Sequence, residues 1–224
     1  MGVKLSEKCK VKSEKLIYIL TNEKYKGVRN YPVIKINFLS SFIDFKNIDF
    51  LLFTSKNGVR AVDKIISEWK NFPSFAIGKS TAKEIEKSGG RVEFIAKNAY
   101  GDEFAKEIIE KYQNKTFLFL RAKKIISPIN EIFKDSTNNL KELIVYETVC
   151  NTPKESIKKP CVVIFTSPST VECFAKNNNF QDIKAIAIGK KTKNILQNYI
   201  KDILMPSYPS IKECLKLAKN IKLV

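Results

Sequence analysis

The chain has 224 residues, 44% of them apolar, enough for packed cores in one or two domains of ordinary size. Its 40 lysines and arginines against 23 acidic residues leave a charge of +17, and histidine is absent altogether. That absence excludes histidine-dependent triads, histidine metal sites and imidazole acid–base chemistry; what is left is a binding protein or an enzyme with modest proton-transfer needs, met by Tyr, Lys, Ser, Thr or carboxylates.

The opening MGVKLSEKCKVKSEK lacks the apolar core of a signal peptide. Met-Gly followed by Ser6 fits the loose N-myristoylation pattern, a short match that often arises by accident. LIYIL at 16–20 is the first apolar strand. NIDFLLF is a buried strand leading to NGVRAVDKIISEW, where Val59, Val62, Ile65, Ile66 and Trp69 recur at helical spacing. SFAIG is the next strand, and Ser80 is expected to cap TAKEIEKSGG, which Gly89 or Gly90 ends. VEFIA precedes the helix DEFAKEIIEKY, and KTFLFLRA precedes a short PINEIF helix. After residue 160 the order returns as CVVIF, STVECFAK, AIAIG, TKNILQNYI, ILMP and SIKECLKLAKNI. Such alternation predicts an α/β fold with doubly wound, flavodoxin-like parallel sheets. No run is long enough to cross a bilayer. The five cysteines, Cys9, Cys150, Cys161, Cys173 and Cys214, form no CxxC pair and are odd in number, which points to a reducing cytoplasm and to small buried hydrophobes.

Phe-Thr-Ser stands at 53–55 and again at 165–167, and Ile-Gly at 77–78 and again at 188–189. Two landmarks repeated in one order at nearly constant spacing indicate two similar halves. The second half lacks a first strand of its own, which LIYIL can supply. The expected division is therefore a discontinuous domain of residues 1–35 and 147–224, carrying FTSPST and IGKKT, and an inserted domain of residues 36–146, carrying FTSKNG and IGKST. The crossings fall near YPVIKI and ELIVYETV, whose strand character makes a two-stranded hinge.

In each half a buried strand ends in Phe-Thr-Ser and a helix follows at once, so small hydroxyls and unpaired backbone N–H groups gather at the carboxyl edge of the sheet, where ligands of such folds bind. IGKST and IGKKT add a glycine for close backbone approach and the charges of Lys79, Lys190 and Lys191. Taken singly, each of these is also an ordinary helix cap or turn. The lysine surplus suits a polyanion, whether nucleic acid, acidic membrane or a small substrate with many carboxylates, and equally serves as general solubilising charge.

FTSKNGV, AIGKSTA, FLRA, VYETV, IFTSPSTV and AIGKKT, in this order, resemble the uroporphyrinogen-III synthase family from about residue 16 to the C-terminus. The resemblance implies a lyase of tetrapyrrole and haem biosynthesis that closes hydroxymethylbilane, an octacarboxylate, into uroporphyrinogen III with inversion of ring D; a cytoplasmic monomer is expected, the cysteines pointing to the cytoplasm and a hinge between two domains needing freedom. It implies no metal, no organic cofactor, no membrane and no specific nucleic acid. Carried onto matching positions, it makes Tyr146 the proton donor to the departing hydroxyl. Thr54, Ser55, Thr81, Thr166, Ser167, Ser169 and Thr192 become substrate-binding residues, and Arg121 a partner for a propionate. Two departures stand out: Asn22 replaces the arginine of a Thr-Arg-Pro-like turn, with too few residues following for the usual first helix, and Ala122 stands where glycine is common. The alternatives are a basic α/β nucleic-acid-binding protein and a non-catalytic hinged binding protein for a small polyanion. No RNP-like, KH-like or helix-turn-helix signature supports the former.

Overall fold

The computed structural model describes residues 15–39, 42–125 and 127–223; the myristoylation pattern and Cys9 lie outside them. The chain forms two compact units. Unit 1 takes the residues up to Lys35 and those from Cys150 on, and unit 2 is Ile36–Val149.

Unit 1 is built on a five-stranded parallel sheet of β1 (Ile17–Ile19), β2 (Arg29–Asn30), β9 (Cys161–Phe165), β10 (Ile183–Ala187) and β11 (Ile203–Leu204), in the order β11-β10-β9-β1-β2. Its helices are α5 (Pro168–Asn177), α6 (Lys190–Leu196) and α7 (Ile211–Asn220). Alternate residues of β9 feed opposite faces. Cys161, Val163 and Phe165 join a core with Val171, Phe174 and Leu196, while Val162 and Ile164 meet Cys214 and Ala218 of α7. All five residues of β9 are buried, as a central parallel strand covered on both faces requires. Full burial of one such side chain stabilises by about 1.5–3 kcal/mol. Among the described residues no helix separates β1 from β2. Tyr25 and Val28 from that connection pack instead against the face that α7 covers.

Unit 2 holds a six-stranded sheet in the order β3-β8-β7-β4-β5-β6. Its strands are β3 (Ile34–Phe38), β4 (Phe50–Phe53), β5 (Pro73–Ala76), β6 (Arg91–Ile95), β7 (Thr116–Ala122) and β8 (Asn139–Cys150). The two crossing segments thus lie side by side as β3 and β8. Helices α1 (Lys56–Ile65), α2 (Lys79–Lys87), α3 (Gly101–Lys111) and α4 (Ile129–Lys134) complete the unit. One face gathers Leu51, Phe53, Val59 and Trp69; the other gathers Leu52, Phe75, Phe104, Phe117 and Phe133.

Three local expectations need correction. Trp69 does not continue α1: Ile66 turns extended, with φ of −158°, and the tryptophan sits on a separate 3-10 turn, Glu68–Asn71. There it is fully buried, edge-on to Phe53 and donating from Nε1 to Asp63 at 3.2 Å. Ser80 is not the cap of α2, because the helix already begins at Lys79 and Gly78 precedes it. The stop is Gly89, whose φ of +85° favours glycine. Finally, Cys150 and Cys173 are not separate small hydrophobes but a disulfide, which α5 makes by returning Cys173 to the end of β8. Cys161 and Cys214 are buried free thiols.

Helices α1 and α2 are joined by a two-point ion pair, in which Arg60 Nε and Nη2 donate to the Glu84 carboxylate at 2.8 and 2.9 Å. The hydrogen bond from Arg60 pulls the Glu84 carboxyl below its ordinary 4.5, against a smaller opposing effect of burial. A depressed folded pKa means that the pair stabilises fully above about pH 4.5 and loses this contribution as pH falls through the folded value. Since Arg60 is about a third exposed, Glu84→Gln should cost only about 0.5–1 kcal/mol at neutral pH. Urea denaturation should show that difference shrinking on acidification.

Candidate active site

The repeated motifs occupy equivalent places in the two sheets. In unit 2, β4 ends at Phe53 and Ser55 caps α1, its side chain accepting from Asn57 N. In unit 1, β9 ends at Phe165 and Ser167 caps α5. The neighbouring strands end in the same manner. Ile77 N donates to Phe53 O and Ile188 N donates to Phe165 O, each at 3.0 Å, and Gly78 and Gly189 then precede α2 and α6. Parallel register thus brings both hydroxyl-bearing turns of each unit to the carboxyl edge of its sheet.

The individual hydroxyls differ in how far they are committed. Ser167 and Thr170 form a reciprocal capping box at the start of α5, for which the Ser-x-x-Thr spacing is the sequence signal. Thr166 donates to Leu20 O at 2.7 Å, tying β9 to the end of β1. Thr81 and Thr192 are buried, at 4% and 3% exposure. Thr54, Ser55, Ser167 and Ser169 are half-buried. Lys79 and Lys190 are exposed beside their glycines.

Gly58 stands in the first turn of α1, where Thr170 stands in α5. A methyl there would lie 2.9 Å from the Leu120 carbonyl oxygen and 3.9 Å from the Tyr146 ring, so α1 approaches β7 as closely as it does only with glycine.

Tyr146 reaches this place through an irregularity in β8. Register along β7 and β8 runs evenly to Arg121 opposite Ile144 and then jumps to Ala122 opposite Tyr146. The extra residue on β8 is a bulge, which breaks the in–out alternation. As a result, Val145 and Tyr146 are both buried and both join the core that holds Val59 and Leu120. Burial raises the Tyr146 pKa above its ordinary 10.0, and a hydrogen bond from Ser55 works in the opposite direction. A neutral phenol is therefore held beside the strand-to-helix turn of the first Phe-Thr-Ser motif.

Arg121 is employed differently from the propionate partner expected of it. Its Nε lies 2.7 Å from Glu142 Oε1, and Nη1 donates to the carbonyls of Ala122 and Lys123 at 2.8 and 3.3 Å. The side chain braces the end of β7 against the early part of β8. Glu142, which sequence reasoning did not single out, is placed there only by the pairing of those strands.

Two α/β units, each presenting paired hydroxyl-bearing turns at the carboxyl edge of its sheet and one of them a buried phenol, define a two-unit α/β protein. The family model described as uroporphyrinogen-III synthase HemD matches residues 28–216. The uroporphyrinogen-III synthase of Chlorobaculum parvum is 26% identical over 202 residues, covering 80% of this chain and 82% of its own. Among solved structures, uroporphyrinogen-III synthetase from Helicobacter pylori aligns at TM-score 0.80 and 24% identity, over 93% of this chain and 100% of that one. A mutant uroporphyrinogen III synthase from Thermus thermophilus aligns at TM-score 0.55 and 12% identity, over 92% and 98% of the two chains. The chain belongs to the uroporphyrinogen-III synthase family, whose activity serves porphyrin and haem biosynthesis. No helix among the described residues is long and apolar enough to cross a membrane.

Gly58→Ala should destabilise the protein by about 1–3 kcal/mol, because a backbone carbonyl must yield to the added methyl. Chemical denaturation measures the cost.

Proposed function

We propose that the chain is a cofactor-free lyase that cyclises hydroxymethylbilane to uroporphyrinogen III with inversion of ring D, acting as a cytoplasmic monomer. Family membership supports the reaction class. The observation that carries the chemistry is the neutral phenol of Tyr146, buried beside Ser55 and the start of α1.

Loss of the substrate hydroxyl requires a proton, which turns a poor leaving group into water and leaves an electrophilic carbon for ring closure. Tyr146 supplies that proton. Its raised pKa keeps it protonated throughout the physiological range, and the Ser55 hydrogen bond lowers the cost of the phenolate that results. The remaining task is to hold the reacting carbons so that one closure outruns the other, which is catalysis by positioning. Thr54, Ser55, Ser167 and Ser169 offer half-buried hydroxyls for substrate carboxylates, with Lys79 and Lys190 adding exposed charge. Thr166 contributes chiefly by fixing its strand, and the buried Thr81 and Thr192 by shaping the helix starts. We assign Arg121 the lesser role of bracing the end of β7 against the early part of β8, since Glu142 already pairs with its guanidinium.

The first test is isomer analysis. Freshly generated hydroxymethylbilane closes unaided to the type I ring, so a type III fraction rising with protein concentration, without added metal or cofactor, supports the proposal. Type I alone from folded protein overturns it. Tyr146→Phe should lower turnover by roughly 10- to 1000-fold while leaving the fold intact. Because the phenol must be protonated to act and burial raises its pKa above the ordinary 10.0, no loss of turnover between about pH 6 and pH 8 should be traceable to this residue.

A further inference from the structure

The disulfide joins two elements that the proposed site depends on. Cys150 is the last residue of β8, the strand that carries Tyr146, and Cys173 lies on α5, whose first turn carries Ser169 and whose cap is Ser167. Their Cα atoms are 5.1 Å apart although 23 positions separate them in sequence. Contacts other than the bond also draw the two segments together. Val171 and Phe174 anchor α5 in the core, Tyr31 donates to Asn178 at 3.2 Å, and Asn177 donates to Thr152 at 3.1 Å. Asn151 donates from its backbone and side chain to the carbonyls of Val33 and Pro32, fixing the chain just beyond Cys150. Contacts of this kind keep two released thiols within reach of each other while letting the segments shift, which the covalent bond does not.

Accessibility separates this pair from the other described cysteines. Cys150 is exposed and Cys173 buried, so a small reagent meets one sulfur first and the second acts as the resolving or leaving group. Cys161 and Cys214 are enclosed, and burial pushes both thiols up to about 11, which makes them poor nucleophiles.

We propose that Cys150 and Cys173 form a reversible thiol–disulfide modification site, whose substrates are low-molecular-weight disulfides and dithiols and whose closed state slows the enzyme. This rests on the functional reading above, because the elements it ties are those given roles there. Closure proceeds by attack of the Cys150 thiolate on a sulfur of glutathione disulfide, with release of one glutathione thiolate. The Cys173 thiolate then attacks the Cys150 sulfur of the mixed disulfide and releases the second glutathione. Opening reverses this: a dithiol attacks Cys150, Cys173 leaves as thiolate, and the reagent closes on itself as a disulfide. The protein pair gains or loses two electrons and two protons, balanced by the reagent. In the closed state the end of β8 cannot move independently of α5. Where admission or release of a tetrapyrrole needs such motion, the closed bond slows turnover.

The full chain would be equilibrated with glutathione disulfide or with dithiothreitol, freed of reagent and assayed for type III isomer, with thiols counted by alkylation and mass spectrometry. Oxidised protein should lack two alkylatable thiols, assigned to Cys150 and Cys173. It should turn over about three- to tenfold more slowly than reduced protein, and melt roughly 5–10 °C higher. Cys150→Ser should behave as reduced protein under both conditions, and Cys173→Ser serves as the second variant should the first fold poorly. Both thiols alkylated after oxidation, or a closed bond with unchanged kcat and KM, would overturn the proposal. Type I product alone in both states would instead sink the functional reading, and with it the link to turnover, while the thiol count still decides whether the pair is reactive.

Discussion

The site depends on where strands stop. In both units a backbone hydrogen bond fixes the next strand against the last residue of the motif strand: Ile77 on Phe53, Ile188 on Phe165. Both strands must then turn into helices at one level of the sheet. Parallel pairing demands this, because strands running in one direction place all their exits on one edge. Hydroxyls and glycines far apart in sequence become neighbours through that constraint, and side-chain chemistry then elaborates an edge the backbone has already defined.

Composition gave a more ambiguous message than architecture. A charge of +17 suits the octacarboxylate substrate proposed above, yet the most conspicuous basic residue near the proposed site, Arg121, is paired with Glu142 and donates to the carbonyl of Ala122. Arg60 is likewise held by Glu84. Arginines at these positions brace the scaffold, and lysines beside the glycines remain exposed. The division follows chemistry, since a guanidinium can satisfy several acceptors in one plane while an ammonium stays hydrated at the surface.

What was legible in the sequence was local. Phe-Thr-Ser followed by a helix can be read from adjacent residues, as can the run CVVIF, which is the whole of β9. Other features required a partner. Trp69 continued the helical period of α1 on paper but lies on its own turn, because Ile66 adopts an extended backbone. The ion pair of Arg121 and the disulfide of Cys150 each depend on an element that returns from elsewhere in the chain, and no spacing rule announces such a return. Thr81 and Thr192 were recognisable as repeat positions, whereas their burial was not.

The bulge in β8 ties the chemistry of this protein to counting as much as to residue identity. Tyr146 faces inward because one residue more is spent on β8 than on β7 between matched pairs. A relative could keep a tyrosine at the aligned position, lose the extra residue, and present its phenol to the opposite face of the sheet. Alignments of this family that treat gaps near the strand end as noise would then credit the proposed acid to a chain that lacks it. The length of that strand is thus part of the signature of the proposed site.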